Sequence, residues 1–391
     1  MSTLITGIGE LTTNAPDGPL HNAAVVLEGE HFAWIGPATA APAADHRIDI
    51  GGRAALPGWV DSHTHLVFAG DRTAEFEARM VGQPYHAGGI ATTVAATRNA
   101  SDDQLSANLR RHVLEAYRQG TTCLETKTGY GLSVPDEQRS ARIAATLADE
   151  VTYLGAHLVP PDTDAESYVE LVCGDMLDAV APHVRWADVF CETGAFDANQ
   201  SDRVLRAAAA HGLGLRVHGN QLGTGPGVQL AVRHGAASVD HCTYLTDADI
   251  EALAASDTVA TVLPACDLST RHPLAPARAL LDAGATVALA TNANPGSSYT
   301  TSMAYCVATA VLQMGLSVAE AVQAATAAGA QALRRDDVGI IRVGARADLQ
   351  VLDAPSVTHL AYRPGVPLTL AVWRLGQRIP AAPAEWPDST A

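Results

Sequence analysis

The segment 56–65 ends in two histidines that are separated by a single residue. Its apolar run, interrupted by Pro-Gly, predicts a buried strand that ends at the histidines. Side chains alternate along a strand, so His63 and His65 would point the same way. Two imidazole nitrogens on one side suit a borderline-soft divalent cation such as zinc. In a chain with 15 histidines, this spacing alone is also compatible with chance.

Polar residues also follow other apolar runs, and four of the runs end in histidine. A parallel barrel brings the carboxyl ends of its strands together at one rim, where these side chains would converge. His63, His65 and His218 would then offer three neutral nitrogen ligands and leave an open position for water, as in catalytic zinc sites. The residues at the ends of the runs are His63 and His65, Glu125 and Lys127, His157, Glu192, His218, His241 and Asn292.

Eight apolar, strand-like runs alternate with stretches of helical period, which is the pattern of βα units on a parallel sheet. Eight units close a (β/α)8 barrel of the TIM type, so the predicted fold class is α/β. The apolar runs are 56–62, 121–125, 152–156, 186–191, 213–217, 237–240, 259–263 and 286–291, and the helical stretches include 104–119, 137–148, 204–211, 226–234 and 300–316.

Both ends of the chain carry a second pattern, in which short alternating segments are broken by Gly, Pro and Asn. We expect the two ends to form one small β-sandwich module. It would comprise residues 1–55 and 343–391, beside a barrel domain of residues 56–342. The connection 66–103 after the first barrel strand is long, and long connections commonly carry function or cover a site.

The composition restricts the class of protein. The 391 residues, 47% of them hydrophobic, suffice for a barrel and a smaller module. The formal charge of −17 disfavours nucleic acid or an anionic membrane as a partner, so a local cation must hold any anionic substrate. The chain has no signal-peptide pattern, no apolar run of about 18 residues, and no Cys-X-X-Cys pair among its six cysteines. We therefore expect a cytoplasmic protein without a disulfide framework or a thiolate zinc site.

Several motifs resemble those of one enzyme family, the imidazolonepropionases of the amidohydrolase superfamily. The resemblance runs nearly end to end. It implies hydrolysis of the ring C–N bond of 4-imidazolone-5-propanoate to N-formimino-L-glutamate, a small anionic heterocycle as substrate, and a homodimer. The His-X-His and Ala-Asp-Leu motifs belong to the whole superfamily, whereas those at Arg72 and Tyr130 are specific to the family. The motifs are His63-Thr-His65-Leu-Val-Phe-Ala-Gly-Asp-Arg72, Lys127-Thr-Gly-Tyr130-Gly-Leu, Gly155-Ala-His157, Glu192-Thr-Gly, Val217-His218, Asp240-His241, Asn294-Pro-Gly-Ser297 and Ala345-Arg-Ala-Asp348-Leu.

The resemblance also assigns roles to residues by position. His63, His65, His218 and Asn292 fall at metal-ligand positions. Related barrels bridge a second metal with a carbamylated lysine, but the fourth run ends without a lysine. One divalent metal is therefore implied, with zinc favoured and iron as the alternative. The substrate-contacting positions are Arg72, Tyr130, His157, Gln221 and Ser297, the product-contacting positions are Asn294 and Gly296, and the catalytic candidates are His241, Gln221 and Asn292.

The chemistry of the residue types agrees with part of these assignments. Arg72 presents a planar fork that matches a carboxylate, and it would be the local cation that the acidic chain requires. His241 would polarise the scissile carbonyl or orient the attacking water, unless it only supports its neighbours. Lys127, the only lysine in the chain, would either add positive potential near the substrate carboxylate or pair with Glu125 or Glu192.

Asn292 is the position at which the sequence departs from the family pattern. Amidohydrolases end the eighth strand in an aspartate that binds the metal and takes a proton from the attacking water. An amide can offer an oxygen to a metal but cannot accept that proton near neutral pH. Gln221 is a second such change, because some members have a carboxylate there. Asn292 is then an engineered replacement that traps a complex, a natural change toward altered chemistry, or a residue whose role another base such as His241 has taken.

Two other functions stay open on the sequence alone. A related hydrolase or deaminase would act on a hydantoin, a thiohydantoin or another ring that bears a carboxylate. A non-catalytic binder would keep the pocket but lack the base. Substrate profiling separates the first alternative from imidazolone hydrolysis, and tight binding without turnover at full metal occupancy would support the second.

Overall fold

The computed structural model describes residues 1–82 and 89–380, which contain two sheets. Their strands are β1 (Ser2–Leu11), β2 (Leu20–Glu28), β3 (His31–Pro37), β4 (His46–Pro57), β5 (Trp59–Asp61), β6 (Thr121–Lys127), β7 (Glu150–Ala156), β8 (Trp186–Cys191), β9 (Gly214–Gly219), β10 (Ser238–His241), β11 (Val259–Val262), β12 (Val287–Leu289), β13 (Leu349–Leu352), β14 (Thr369–Arg374) and β15 (Gln377–Arg378).

Strands β5 to β12 form the barrel, each pairing in parallel with the next along the chain. A parallel bridge between Thr64 and Ala293 links the first and last strands. Barrel strands are covered on both faces, which explains why they appear in the sequence as continuous apolar runs. The predicted (β/α)8 barrel is confirmed, and each of the eight predicted runs overlaps one of these strands.

The predicted first run, 56–62, is divided between the two sheets. Leu56 and Pro57 belong to β4, which pairs outside the barrel, and the barrel strand begins at Trp59. Gly58 lies between them, and a Cβ there would approach Thr122 side-chain atoms to 2.1–2.6 Å. The chain therefore changes sheets at a residue whose missing side chain allows this close approach.

Fifteen α-helices lie in the described residues, mostly between barrel strands. Several begin at side-chain caps, such as Ser101, which accepts a hydrogen bond from the Gln104 N–H. The connection 66–103 was expected only as a long loop, but it contains two helices, α1 and α2. The helices are α1 (Thr73–Met80), α2 (Ile90–Asn99), α3 (Asp102–Arg118), α4 (Val134–Ala144), α5 (Ala165–Cys173), α6 (Asp175–Val180), α7 (Ala198–Ala210), α8 (Gly227–Arg233), α9 (Asp247–Ala254), α10 (Pro264–Thr270), α11 (Ala277–Asp282), α12 (Met303–Gln313), α13 (Val318–Ala324), α14 (Ala327–Ala332) and α15 (His359–Tyr362).

The second sheet is built from both ends of the chain, in the order β15-β14-β13-β4-β1-β2-β3. Its neighbours are antiparallel except for β1 and β4, which run parallel. Leu349 of β13 lies opposite Pro57 of β4, so the C-terminal strands extend the N-terminal ones. The expected small β module from both chain ends is confirmed, whereas the proposed domain limits at residues 55 and 343 stay a prediction.

A buried group of ion pairs joins the two sheets. Asp149 directly precedes β7 and accepts hydrogen bonds from Arg346 at 2.6 Å and Arg374 at 2.9 Å. Arg346 also pairs with Asp348 and donates to the backbone oxygen of Thr122 in β6 at 2.8 Å. These contacts lie at the amino ends of the barrel strands, away from the rim that carries the histidines.

None of the helices within residues 1–82 and 89–380 is both long and apolar enough to cross a membrane. All six cysteines carry free thiols, and five of them are buried.

Candidate active site and metal centre

Three histidines converge at the carboxyl ends of the barrel strands. His63 and His65 follow β5, and His218 lies in β9 on the opposite part of the rim. Each offers a ligand nitrogen, and these atoms all lie within 4.8 Å of one another. The Nε2 atoms of His63 and His65 are 3.2 Å apart, and all three side chains are buried. The structure thus brings together the three histidines that the sequence placed at one rim.

Carboxylates face the outer nitrogens of two of these imidazoles. Asp240 Oδ2 lies 2.7 Å from His63 Nδ1, and Asp188 Oδ2 lies 3.0 Å from His218 Nδ1. The hydrogen bond to Asp240 fixes a proton on His63 Nδ1 and turns the Nε2 lone pair of that ring toward the cluster. Burial, followed by the nearby charge of Lys127, lowers the pKa of His63 to about 3. Burial likewise lowers the pKa of His65 well below its usual value, so both rings are neutral near pH 7.

Asn292 lines the same cleft as His65 and His218. Its backbone N–H donates to the His63 carbonyl at 3.0 Å, which ties the eighth strand end to the first. Its Oδ1 is buried and has no hydrogen-bond partner within the described chain. Orphaned buried polar atoms are rare in folded proteins. Three imidazole nitrogens and an amide oxygen are donor types that a divalent cation accepts, so these residues fit a metal ion.

His241 and Gln221, the other catalytic candidates, line the same cleft. The His241 ring centroid is 5.4 Å from that of His218 and 5.8 Å from that of His63. His241 has a φ of +85°, a strained conformation of a kind that is concentrated at functional sites. Burial lowers its pKa well below the usual value. The Gln221 amide lies 3.8 Å from the sulfur of Cys266.

The inner cleft holds most of the residues that the sequence assigned to substrate binding. Gly296 lines the adjoining outer cleft, and Arg72 lines both. The residues of the inner cleft are His65, Arg72, Ile90, Tyr130, His157, Phe190, His218, Gln221, His241, Asn292, Asn294 and Ser297.

Arg72 is buried at the wall between the two clefts, and its guanidinium has a carboxylate partner. Its Nε and Nη2 donate to Glu75 at 2.8 and 2.7 Å. A Cβ on Gly296 would lie 2.1 Å from its Nη1, so the glycine leaves room for the guanidinium. Arg79, also buried, donates to the Gly296 carbonyl at 3.1 Å and lies 3.6 Å from Glu75. Glu75 thus faces two buried arginines at this wall, and Asp71 lines the outer cleft beside them.

Aromatic rings form another wall of the inner cleft. The ring of His157 is stacked with that of His65 at 5.6 Å between centroids, and Tyr130 lies 5.4 Å from it. His157 Nδ1 is 2.9 Å from the Gly129 carbonyl, which fixes the ring. Burial, followed by the neighbouring His218, lowers the pKa of His157 to about 4. This wall suits a flat, uncharged heterocycle.

Asn294 shapes the loop that follows the eighth strand. Its Oδ1 accepts hydrogen bonds from the N–H groups of Gly296 and Ser297, both at 2.8 Å. Its Nδ2 donates to the carbonyl of Asn292 at 2.6 Å. The side chain thus holds the loop on which Gly296 and Ser297 stand.

Lys127 lies beneath the histidines and does not line either cleft. Its Nζ is 2.9 Å from Glu125 Oε1, so of the pairings left open by the sequence the structure contains this one. Glu192 instead accepts the N–H groups of Gln221 and Leu222 and shapes their loop.

Sequence reasoning missed several residues of the site. Asp188 interrupts the apolar run 186–191, and a charged residue within a buried strand was an available signal. Glu75 follows Arg72 at a spacing that pairs side chains on a helix, but no helix was predicted there. Ile90 and Phe190 are apolar wall residues, which no local pattern distinguishes from core.

Known proteins resemble this chain over nearly its whole length. A model described as the amidohydrolase family matches residues 192–374. The imidazolonepropionase of Saccharopolyspora erythraea is 73% identical, covering 97% of this chain and 99% of its own length. That of an Arthrobacter species is 65% identical, covering 97% and 100%.

Two solved structures share the fold at 20% identity and cover 96% of this chain. A zinc complex of an atrazine chlorohydrolase mutant from Arthrobacter aurescens, with atraton, has a TM-score of 0.74 and is covered over 94% of its length. An adenosine deaminase from Xanthomonas campestris with bound zinc has a TM-score of 0.75 and is covered over 92%. From the near-complete match to close relatives, the chain belongs to the imidazolonepropionase family of amidohydrolases.

Proposed function

We propose that this protein hydrolyses the ring C–N bond of 4-imidazolone-5-propanoate, consuming one water and giving N-formimino-L-glutamate. Relatives named imidazolonepropionase at 73% and 65% identity support the activity. The observation that carries the proposal is the convergence of three histidines and a buried arginine on one small cleft. The cleft matches the two parts of such a substrate, a flat ring and a carboxylate.

The chain's residues divide the binding of this substrate between them. Arg72 lines both clefts with its planar guanidinium, and we assign to it the propanoate carboxylate. Tyr130 and His157 present ring faces that hold the heterocycle flat against the wall. Together they orient the ring carbonyl toward the histidine cluster, and burial of the cleft excludes bulk water.

A divalent cation held by His63, His65 and His218, with Asn292 beside them, would polarise the ring carbonyl and make a water more acidic. Ring opening further requires that a proton leave the attacking water and reach the departing ring nitrogen. Asn292 and Gln221 carry amides, which hydrogen-bond but do not accept this proton. His241 has a buried Nδ1 atom without a hydrogen-bond partner in the described residues. We assign to this imidazole the acceptance of the proton from the attacking water. Because burial lowers its pKa, we expect it to be a weak base.

Zinc is the proposed cation, and iron is the alternative. Three imidazole ligands suit zinc, and both solved structures above contain it. Iron accepts the same donors, so ligand type alone does not separate the two. Elemental analysis of protein purified without added metal, together with reconstitution of the stripped protein with each ion, identifies the metal.

The direct test of the function follows the ultraviolet absorbance of imidazolone-propanoate after addition of the protein. We expect the absorbance to fall with the metal-loaded protein, and to fall faster with the Asn292→Asp variant. A metal-loaded Asn292→Asp protein that leaves the absorbance unchanged would contradict the substrate assignment. Hydantoin and thiohydantoin carboxylates serve as comparison substrates, and tight binding without turnover would point to a binder.

The quaternary structure and the location in the cell are also proposals. The homodimer is expected from the family resemblance, and sedimentation of the full chain at several concentrations tests it. A cytoplasmic location agrees with six free thiols, since oxidising compartments favour disulfides. Cell fractionation tests the location.

A further inference from the structure

Lys127 is the only lysine in a chain that otherwise uses arginine for its basic side chains. It ends β6, and its side chain is fully buried in the barrel below the histidine cluster. Side chains two residues apart on a strand share a face, so Lys127 and Glu125 point into the barrel together. The proposed reaction assigns no role to this ammonium group.

Carboxylates from three different barrel strands face the Lys127 ammonium. Its Nζ lies 2.9 Å from Glu125 on β6, 3.1 Å from Asp188 on β8 and 3.9 Å from Asp240 on β10. All three carboxylates are fully buried. A compact ammonium directs three N–H bonds away from one point, whereas a guanidinium directs its donors within one plane. This geometry explains why lysine stands here in an arginine-rich chain.

Two of these three carboxylates are the ones that hold metal-binding histidines. Asp240 Oδ2 faces His63 Nδ1, and Asp188 Oδ2 faces His218 Nδ1. The same Asp188 oxygen that contacts the imidazole contacts Lys127, and so does the same Asp240 oxygen. In each carboxylate–histidine pair, Lys127 therefore lies near the same carboxylate oxygen that faces the imidazole.

The remaining contacts of Asp188 and Asp240 show which other cations could hold these two carboxylates. Arg216, also buried, reaches Asp240 at 3.1 Å but forms no ion pair with Asp188 among the described residues. Asp188 accepts the backbone N–H of His218 through its other oxygen. Among the cations of the described chain, Lys127 is the one that pairs with Asp188. Loss of Lys127 would leave that buried carboxylate without its ion pair to this ammonium group.

We propose that Lys127 is a positioning residue of the metal centre, which fixes Asp188 and Asp240 and, through them, the imidazoles of His218 and His63. The inference rests on the proposed metal centre but not on the identity of the substrate. Partners of metal-binding histidines commonly change metal affinity about 10- to 100-fold when they are removed. A failed substrate assay would therefore leave the proposal about Lys127 intact, and a failed metal-binding test would not affect the substrate assignment.

The test compares cobalt(II) binding by wild-type, Lys127→Met and Arg346→Met proteins stripped of metal. Methionine has a similar length to lysine but carries no charge. Arg346→Met removes a buried cation from an ion-pair group that lies away from the histidines, so it controls for a general loss of stability. We expect Lys127→Met to weaken cobalt binding about 10- to 100-fold and to change the cobalt absorption spectrum. Arg346→Met should bind cobalt as the wild type does.

The sign of the change separates positioning from simple charge repulsion. If Lys127 acted only as a positive charge near the cation, its removal would strengthen cobalt binding, because like charges repel. Equal or tighter binding by folded Lys127→Met protein would therefore overturn the proposal.

A second measurement covers the case in which Lys127→Met does not fold. Wild-type protein labelled with carbon-13 at the lysine Cε gives one side-chain signal, because the chain has one lysine. We expect this signal to shift when zinc saturates the stripped protein. An unchanged signal at full zinc occupancy would contradict the connection between Lys127 and the metal-binding histidines.

Discussion

Asn292 has a backbone conformation that bears on its exchange for aspartate. Its φ of +52° lies in the left-handed region, which asparagine and aspartate adopt more readily than most residues. The backbone N–H of Asn292 donates to the His63 carbonyl, which fixes the backbone that carries the Asn292 side chain. Asp and Asn have nearly the same shape, and the site therefore accepts aspartate without a change of backbone.

The Asn292→Asp variant should open the imidazolone ring faster than the chain with Asn292. A carboxylate at this position accepts the proton that the amide cannot, and a positioned general base contributes about 10²- to 10⁴-fold in rate. The measurement is kcat for loss of substrate absorbance, with metal content determined on the same samples. Equal kcat at equal and full metal occupancy would show that another group, such as His241, already acts as an efficient base.

Asp267, outside the metal cluster, should make stability depend on pH. Burial raises its pKa to about 7, although the Thr243 hydroxyl and the Ala275 N–H donate to it. An unfolded chain loses this proton near pH 4. Between these values the folded chain binds more protons than the unfolded chain, so stability falls as pH rises, by up to about 1.4 kcal/mol per pH unit.

The Asp267→Asn variant isolates this effect, because asparagine keeps the shape but does not titrate. Denaturant unfolding of metal-free protein at pH 5, 6 and 7 should show a steeper loss of stability in the wild type than in the variant. The difference between the two should stop changing above about pH 7. Parallel curves across this range would contradict the raised pKa.

At the scale of elements, the loop after β12 controls the position of Arg72 on the loop before α1. Asn294 holds the loop, and Gly296 leaves the space that the Arg72 guanidinium occupies. Glu75 on α1 holds the same guanidinium from the other side. Two segments more than 200 residues apart thus place one guanidinium, to which we assign the substrate carboxylate.

The Gly296→Ala variant should weaken substrate binding more than it slows the chemical step. The added Cβ would lie 2.1 Å from Arg72 Nη1, so the guanidinium must leave its position. A lost hydrogen bond to a charged group costs about 1.5–3 kcal/mol, which corresponds to a rise in KM of about 10- to 100-fold. Gly223→Ala is the matched control, because nothing lies within 4 Å of a Cβ there. A similar KM in both variants would contradict this role of Gly296.

The sequence predicted the elements better than the contacts between them. Apolar runs located all eight barrel strands, and 186–191 matches β8 in both limits. The same run contains Asp188, whose contacts with His218 and Lys127 depend on three strands meeting inside the barrel. The local periodicity of the sequence carries no information about such contacts between different strands. Helix α1 was missed for another reason, since its eight residues form only a weak pattern within the long connection 66–103.

At the scale of the whole molecule, the catalytic rim and the joint between the two sheets lie at opposite ends of the barrel strands. The rim carries the metal-binding histidines, whereas the joint is built around Asp149. Residues at the amino ends of barrel strands contribute mainly to stability, and those at the carboxyl ends contribute to chemistry. The family motif Ala345-Arg-Ala-Asp348-Leu lies at this joint, which gives that motif a structural rather than a catalytic explanation.

Asp149→Asn should therefore destabilise the protein without changing its metal site. The substitution removes the negative charge that pairs with both Arg374 and Arg346. Removing one partner of a buried ion pair costs about 3–5 kcal/mol in stability. Because Arg346 keeps its pair with Asp348, we expect a loss of about 3 kcal/mol, at the lower end of that range.

Denaturant unfolding of the metal-loaded protein measures this loss, and Asp353→Asn is the matched control. Asp353 pairs with Arg53 on the surface of the same β module, where both side chains are exposed. Exposed pairs contribute less than about 1 kcal/mol, so the control should unfold close to the wild type. Equal unfolding midpoints for the two variants would show that the Asp149 cluster does not hold the module to the barrel. A lower cobalt affinity of folded Asp149→Asn protein would show instead that the two ends of the barrel are coupled, since within residues 1–82 and 89–380 Asp149 pairs with Arg346 and Arg374 and not with the histidines.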